Sequence, residues 1–153
     1  MLALLPVAYH APAALEQRTD RNLRLALAAA AYAREHTKPG DRILVWGQAP
    51  EVYWASDRRP ATRFPTTGFV TGASGGRPAD RVGPQYASPG AMRDFLADLE
   101  RHPPTLIFDM STADQRNAGY YPPATVPAFS RFLTQGNWRR VATVDGIDVL
   151  RSR

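Results

Sequence analysis

The sequence predicts an α/β domain: a layered sandwich with a mainly parallel sheet and a C-terminal antiparallel hairpin. Three observations carry that expectation. The runs Ile43-Leu44-Val45 and Leu106-Ile107-Phe108 are continuously apolar, as strands buried on both faces are. Segments of helical period stand before, between and after them. Near the C-terminus, Asp145-Gly146 lies between alternating apolar residues, the pair favoured for a two-residue type I′ turn.

Thr19 or Asp20 is placed to cap a helix running to about His36, with Leu23, Leu27, Ala30 and Ala31 as its apolar stripe. Pro39-Gly40 stops it. Arg42 to Trp46 reads as the first strand, Gly47 turns the chain, and Pro50 opens a short helix through Ser56. Ala61 to Phe64 is expected as a second strand, bounded by Pro60 and Pro65. Residues 66–88 form a long loop rich in Gly, Pro, Ser and Thr.

Ser88-Pro89 starts the next helix, and Met92, Phe95, Leu96 and Leu99 share one stripe of it. Pro103-Pro104 ends that helix, and Thr105 to Asp109 is another buried strand. After a polar loop from Met110 to Ala124, Val126, Phe129, Phe132 and Leu133 mark the face of a last helix, with Gly136 as its C′ residue. The hairpin that follows sets Val144 opposite Ile147 and Ala142 opposite Val149, which gives one apolar face.

Length and composition describe one domain over residues 1–153; residues 1–18 read as a lead-in to it, juxtamembrane if the N-terminus adjoins a bilayer. A chain of 153 residues with 44% hydrophobic content folds without a staple. It has no cysteine, which excludes a disulfide framework and a thiolate zinc site. The formal charge is +5 and Lys38 is the only lysine. Arginine binds oxyanions bidentately, but these arginines are scattered among acids, which argues against a nucleic-acid module. No apolar run approaches the ~20 residues of a membrane span. Leu2 to Tyr9 is apolar but short and lacks the basic start of a signal peptide. It reads as a first strand, a loose terminus or the trailing edge of a longer chain.

Chemistry is sparse. Gly72-Ala73-Ser74-Gly75-Gly76 matches the G-x-S-x-G pattern of hydrolase nucleophile elbows, and Asp98 and His102 follow in the right chain order. The elbow needs a strand before the serine and a helix after it, whereas a Gly/Pro loop surrounds Ser74. His10, His36 and His102 share no metal-ligand spacing, so no metal is expected. His36 and His102 fall at helix ends, where an imidazole meets the dipole favourably. There is no Walker loop, and Gly47 is a single glycine, so no nucleotide or other cofactor is implied. No catalytic residue stands out.

Asp109 ends a buried strand, where α/β folds commonly present functional side chains. A loop-capping carboxylate is the plainer role. Trp46, Tyr53 and Trp54 lie around one turn beside Gln48 and Glu51, an arrangement suited either to stacking a sugar ring or to filling a core.

The stretch Asp41-Arg42-Ile43-Leu44-Val45-Trp46-Gly47-Gln48-Ala49-Pro50-Glu51-Val52-Tyr53, with Arg58-Arg59-Pro60-Ala61-Thr62-Arg63-Phe64 behind it, forms a signature. It resembles the C-terminal extracytoplasmic domain of polytopic GT-C-class membrane glycosyltransferases, similar to protein mannosyltransferases and aminoarabinose transferases. Residues 19–64 and the Pro-Pro-Thr-Leu-Ile-Phe-Asp stretch at 103–109 follow that pattern. The resemblance implies a parent on the extracytoplasmic face of a bacterial membrane that moves a sugar from a polyprenyl-phosphate carrier to an acceptor. It places the catalytic acid in the membrane portion, so no catalytic residue carries over to this chain.

Three functions are therefore in view. The first is an accessory domain contacting acceptor, lipid-linked sugar or its own membrane domain, with Arg18, Arg21 and Arg24 near an anionic surface. The second is a free-standing module for a sugar or phosphorylated ligand. The third is a small hydrolase using Ser74. For binding, the candidate residues are Trp46, Gln48, Glu51, Tyr53, Arg63 and Asp109, gathered at the carboxyl edge of the sheet with Arg63 on a phosphate. The competing expectation makes Trp46 and Tyr53 core and pairs Arg63 with Glu51 or Asp109.

Overall fold

The structure, a computed structural model, describes residues 20–73 and 79–153. Helix α1 (Arg21–His36) begins at Asp20, whose carboxylate accepts the Asn22 amide at 2.8 Å. Strand β1 (Arg42–Trp46) follows, then α2 (Glu51–Ser56), β2 (Arg59–Pro60) and the single turn α3 (Gly68–Thr71). Helix α4 (Ala91–Arg101) leads into β3 (Leu106–Asp109), and α5 (Pro127–Gln135) into the hairpin β4 (Trp138–Val144) and β5 (Ile147–Ser152).

The five strands form one mixed sheet in the order β2-β1-β3-β5-β4. β1 pairs in parallel with β2 and β3, while β3–β5 and β5–β4 are antiparallel. Parallel pairing thus holds for the first three strands, and the hairpin closes the sheet by laying β5 against β3. Alternate strand residues feed two separate cores. Ile43, Val45, Leu106, Phe108, Ile147 and Val149 join α1 and α2, whereas Leu44, Trp46 and Ile107 join α4 and α5. That two-sided burial is why β1 and β3 read as unbroken apolar runs. Each such side chain contributes roughly 1.5–3 kcal/mol.

The hairpin has the expected register, Val144↔Ile147 and Ala142↔Val149, around Asp145 and Gly146 at φ 49° and 86°. A bulge between Arg140 and Ala142 turns Val141 out to solvent.

Several expectations are corrected. The buried stripe of α1 is Leu25, Ala26, Ala29, Ala30 and Ala33, and Leu27 is exposed. From Leu25 to Ala33 the helix is apolar on every side, so periodicity does not choose its face; the small alanines set against the sheet do. The second strand is Arg59–Pro60, not 61–64. Only the Ala61 amide prolongs the ladder, to Ile43 O at 2.9 Å. Beyond it the Thr62 hydroxyl bonds Phe64 O, and the Arg63 amide turns to Asp98. These local side-chain bonds replace the ladder.

The helix expected from Ser88-Pro89 starts at Ala91, because Gly90 at φ 76° turns the chain first. At the end of α5 it is Asn137, at φ 51°, that takes the left-handed position. Gly136 serves space instead, since a Cβ there would meet Trp138 Nε1 at 2.6 Å.

Gly47, just past the end of β1, is a point of close approach between two segments. A Cβ on it would lie 2.6 Å from the Met110 Cβ, a contact between two rigid parts of the chain. Gly47→Ala is expected to cost about 2 kcal/mol by overpacking, a fall in Tm of roughly 4–8 °C in thermal denaturation. An unchanged Tm would show that the segments after β1 and β3 are free to move apart.

Candidate functional site

The carboxyl ends of β1 and β3 are where the chain's connections diverge. The link from β1 to β2 carries α2 over one face, and the return to β3 carries α4 over the other. Such a switch point is where open α/β sheets gather ligands. The sequence-derived candidates distribute around it unevenly.

Trp46 and Tyr53 lie on opposite faces of the sheet, so no ring can stack between them. Trp46 is fully buried, stacked on Phe129 at 4.2 Å, and its indole N–H donates to Tyr121 O at 2.9 Å. Tyr53 is buried under the first core. Its hydroxyl accepts the Val45 amide at 3.0 Å, on the edge of β1 that the two-residue β2 is too short to cover. Burial pushes the Tyr53 pKa well up, the Val45 bond opposing it. Both side chains serve the fold.

Arg63 pairs with neither Glu51 nor Asp109. Its guanidinium forks onto Asp98, Nε to Oδ2 and Nη2 to Oδ1, both at 2.8 Å, and its own amide adds a third bond at 2.9 Å. Arg101 reaches the same carboxylate at 3.2 Å. The hydrogen bonds from Arg63, above all, hold the Asp98 carboxyl down at about 2. The pair ties the segment after β2 to α4.

Asp109 stands opposite Trp46 in the β1–β3 register and is largely buried. Its Oδ1 accepts the Ser111 amide at 3.0 Å and hydroxyl at 2.5 Å, which shapes the loop leaving β3. Burial raises its pKa, the Ser111 bonds lower it, and Asp148 across the β3–β5 pair raises it further.

Gln48 and Glu51 are the two candidates brought together, and Arg116 joins them. Its Nη1 donates to Gln48 O at 2.7 Å and its Nη2 to Glu51 Oε1 at 2.5 Å. Around them lie polar atoms that are buried without a partner among the described residues: Glu51 Oε2, both Gln115 amide atoms and the Tyr121 hydroxyl. Gln115 is fully buried, and its Oε1 lies 3.9 Å from where a Gly47 Cβ would stand. The Tyr121 hydroxyl sits beside Gln48 and Thr67, which oppose the rise that burial gives its pKa, yet neither meets it in hydrogen-bond geometry. Thr67 is spent on Gly47 O, and the Gln48 amide on Ala73 O.

Gln115, Arg116 and Tyr121 fall in the polar loop after Asp109. The position of that loop, beyond the end of a buried strand, was the only sequence signal for them. Ser74 and Arg18 lie outside the described residues. Asp98 is committed to Arg63, and His102 caps α4 through its backbone, so they form no relay with each other. His36 bonds Tyr32 O and stacks on that ring at 3.8 Å. Arg21 is drawn to Ala113 O at 2.8 Å. Among the described residues no group of three acidic or histidine side chains is placed to hold a metal. No protein-family model matches the chain, and neither a curated protein nor a solved structure resembles it significantly.

The Asp98 carboxylate ionises more readily in the fold than in the unfolded chain, whose ordinary value is about 3.9. Its stabilisation is therefore full above that value and lost as pH falls towards 2. Asp98→Asn should lower Tm by roughly 4–8 °C at neutral pH. The gap from the unsubstituted protein should close as thermal melts are taken through that acid range. A gap indifferent to pH would deny the ion pair.

Proposed function

We propose that this chain is the extracytoplasmic accessory domain of a membrane glycosyltransferase whose sugar donor is a polyprenyl phosphate. The observation that carries the reading is the structural use made of residues 41–64. Trp46 and Tyr53 fill opposite cores, Arg58 and Arg63 fasten helices, and Gly47 lets two strand ends close together. A string spent in this way specifies a fold, and a domain borne by differing membrane parts needs such a string. The two cores on opposite faces of the sheet likewise support a layered sandwich. In this reading the catalytic acid belongs to the membrane portion. The domain's part is to contact acceptor, carrier or its own membrane domain, with an anionic lipid surface nearby. Among the described residues no helix is long and apolar enough to cross a membrane.

A second reading, a free-standing module for a sugar or phosphorylated ligand, is favoured by the unpartnered polar atoms at the switch point. The hydrolase reading has no such support, because Asp98 is held by arginines.

Fractionation separates the first two. An antibody raised against this domain should detect, in cells, a polypeptide well above 16.9 kDa in the membrane fraction. Protease added outside intact spheroplasts should remove the epitope. A 16.9 kDa species in the soluble fraction, shielded from that protease, would contradict the proposal.

A further inference from the structure

Helix α1 carries no charge from Leu25 to Ala33 and is apolar on every side, yet only one of its sides meets the sheet. A helix apolar all round is normally covered all round. Here the outer side is bare. Leu23, Leu27 and Ala31 recur one turn apart along it, Leu23 half-buried, Ala31 exposed and Leu27 44% exposed. Helix α2 packs beside α1 on the same face of the sheet, and its Trp54 is 70% exposed, the most open large apolar side chain among the described residues. Trp46 and Trp138, by contrast, are buried.

Charge identifies the cover. Arg24 lies one turn before Leu27 and Arg34 one turn beyond Ala31, on the same stripe. Both are exposed, and neither is paired with a carboxylate among the described residues. Of the acids nearby, Asp20 caps its own helix, Glu35 lies to one side of the stripe and Asp57 ends α2. A second copy fits this face badly. An antiparallel pairing about the stripe would set Arg24 against Arg34, and a parallel one would set each arginine against itself. Trp54, Leu27 and Ala31 also expose only about 300 Å² among them, short of the ~800 Å² per partner that a stable protein interface buries. A bilayer surface fits both features. Apolar side chains sink into the boundary between headgroups and acyl chains, tryptophan is enriched there, and flanking arginines meet phosphates.

We propose that the outer face of α1 and α2 is a membrane-contact surface. Trp54 and Leu27 enter the interface of an anionic bilayer, and Arg24 and Arg34 lie on its headgroups. The assignment rests on the membrane-parent reading for the bilayer's presence, and it names the face that meets it. Of the arginines expected near a lipid surface, Arg24 lies on this face, whereas Arg21 is drawn to Ala113 O.

The test is the tryptophan emission of the whole chain, titrated with vesicles of phosphatidylcholine alone or mixed with phosphatidylglycerol. Emission should shift to the blue in a saturable way, more strongly as the anionic lipid rises and as salt falls. Because Trp46 and Trp138 are buried, the shift belongs to Trp54, and Trp54→Phe should abolish it while co-sedimentation with the vesicles persists. Leu27→Glu, and Arg24→Gln combined with Arg34→Gln, should each weaken co-sedimentation about ten-fold or more. Their Tm should stay unchanged, since these side chains are exposed. Arg131→Gln alters an exposed arginine of α5, on the opposite face, and should leave binding within about two-fold. A Trp54 emission unmoved by anionic vesicles would overturn the proposal, as would binding undiminished in the Leu27 and arginine variants. A shift that grows with protein concentration in lipid-free buffer would give the face to a second copy and overturn it too. Fractionation reports on the parent alone, so a membrane-bound parent whose Trp54 ignores lipid would sink this assignment and leave that reading standing.

Discussion

Arg58 gathers the ends of two helices. It is 8% exposed, and its five guanidinium N–H groups meet five acceptors. Nε donates to Thr37 Oγ1 at 2.7 Å, and Nη2 to Arg34 O and Thr37 O at the end of α1. Nη1 donates to Ser56 O and Asp57 O at the end of α2. The acceptors include carbonyls that a helix terminus leaves unsatisfied, and the positive charge sits where two helix dipoles point their negative ends. No carboxylate partner is needed. A planar fork fits this arrangement, whereas an ammonium has three donors and no fixed plane.

With α1 and α2 fastened at one end, the first core closes over β1 and sets where Gly47 can go. The Gly47–Met110 approach then brings the loop after β3 against the segment after β1, and the backbone on both sides of Gln115 bends left-handed to accommodate it. On the opposite face, the Arg63–Asp98 fork does for α4 what Arg58 does for α1 and α2. The two arginines hold the parallel half of the sheet between its helices. The unpartnered polar atoms collect at the edge these fastenings leave open, so the candidate site follows from how the scaffold is tied.

The elements visible in the sequence are those whose signals are local. β1 and β3 announce themselves as apolar runs, the hairpin by Asp145-Gly146, and α4 by the spacing of Phe95 and Leu99. What stayed hidden depends on partners distant in the chain. An alanine-rich α1 carries no single stripe, so its buried face is decided by the sheet beneath it. Thr62 and Arg63 have strand-like neighbours, yet Asp98, 35 residues away, draws Arg63 out of the ladder. Trp46 and Tyr53 looked like one aromatic cluster because they are near in sequence, but the sheet passes between them. Of the six candidate residues, Gln48 and Glu51 are the two that Arg116 joins at the switch point, while Asp109, at the end of β3, is spent on Ser111. Gln115 and Tyr121 were illegible because a polar loop gives no sign of which of its side chains will be buried.

Within residues 41–64, it is Arg58 that fixes the fold through helix-end carbonyls. Urea denaturation of Arg58→Lys and Arg58→Met tests this most directly. Both variants should lose about 3 kcal/mol of stability, the lysine no better than the methionine by much, because neither can meet five acceptors in one plane. Stability within about 0.5 kcal/mol of the unsubstituted protein in both would contradict the account.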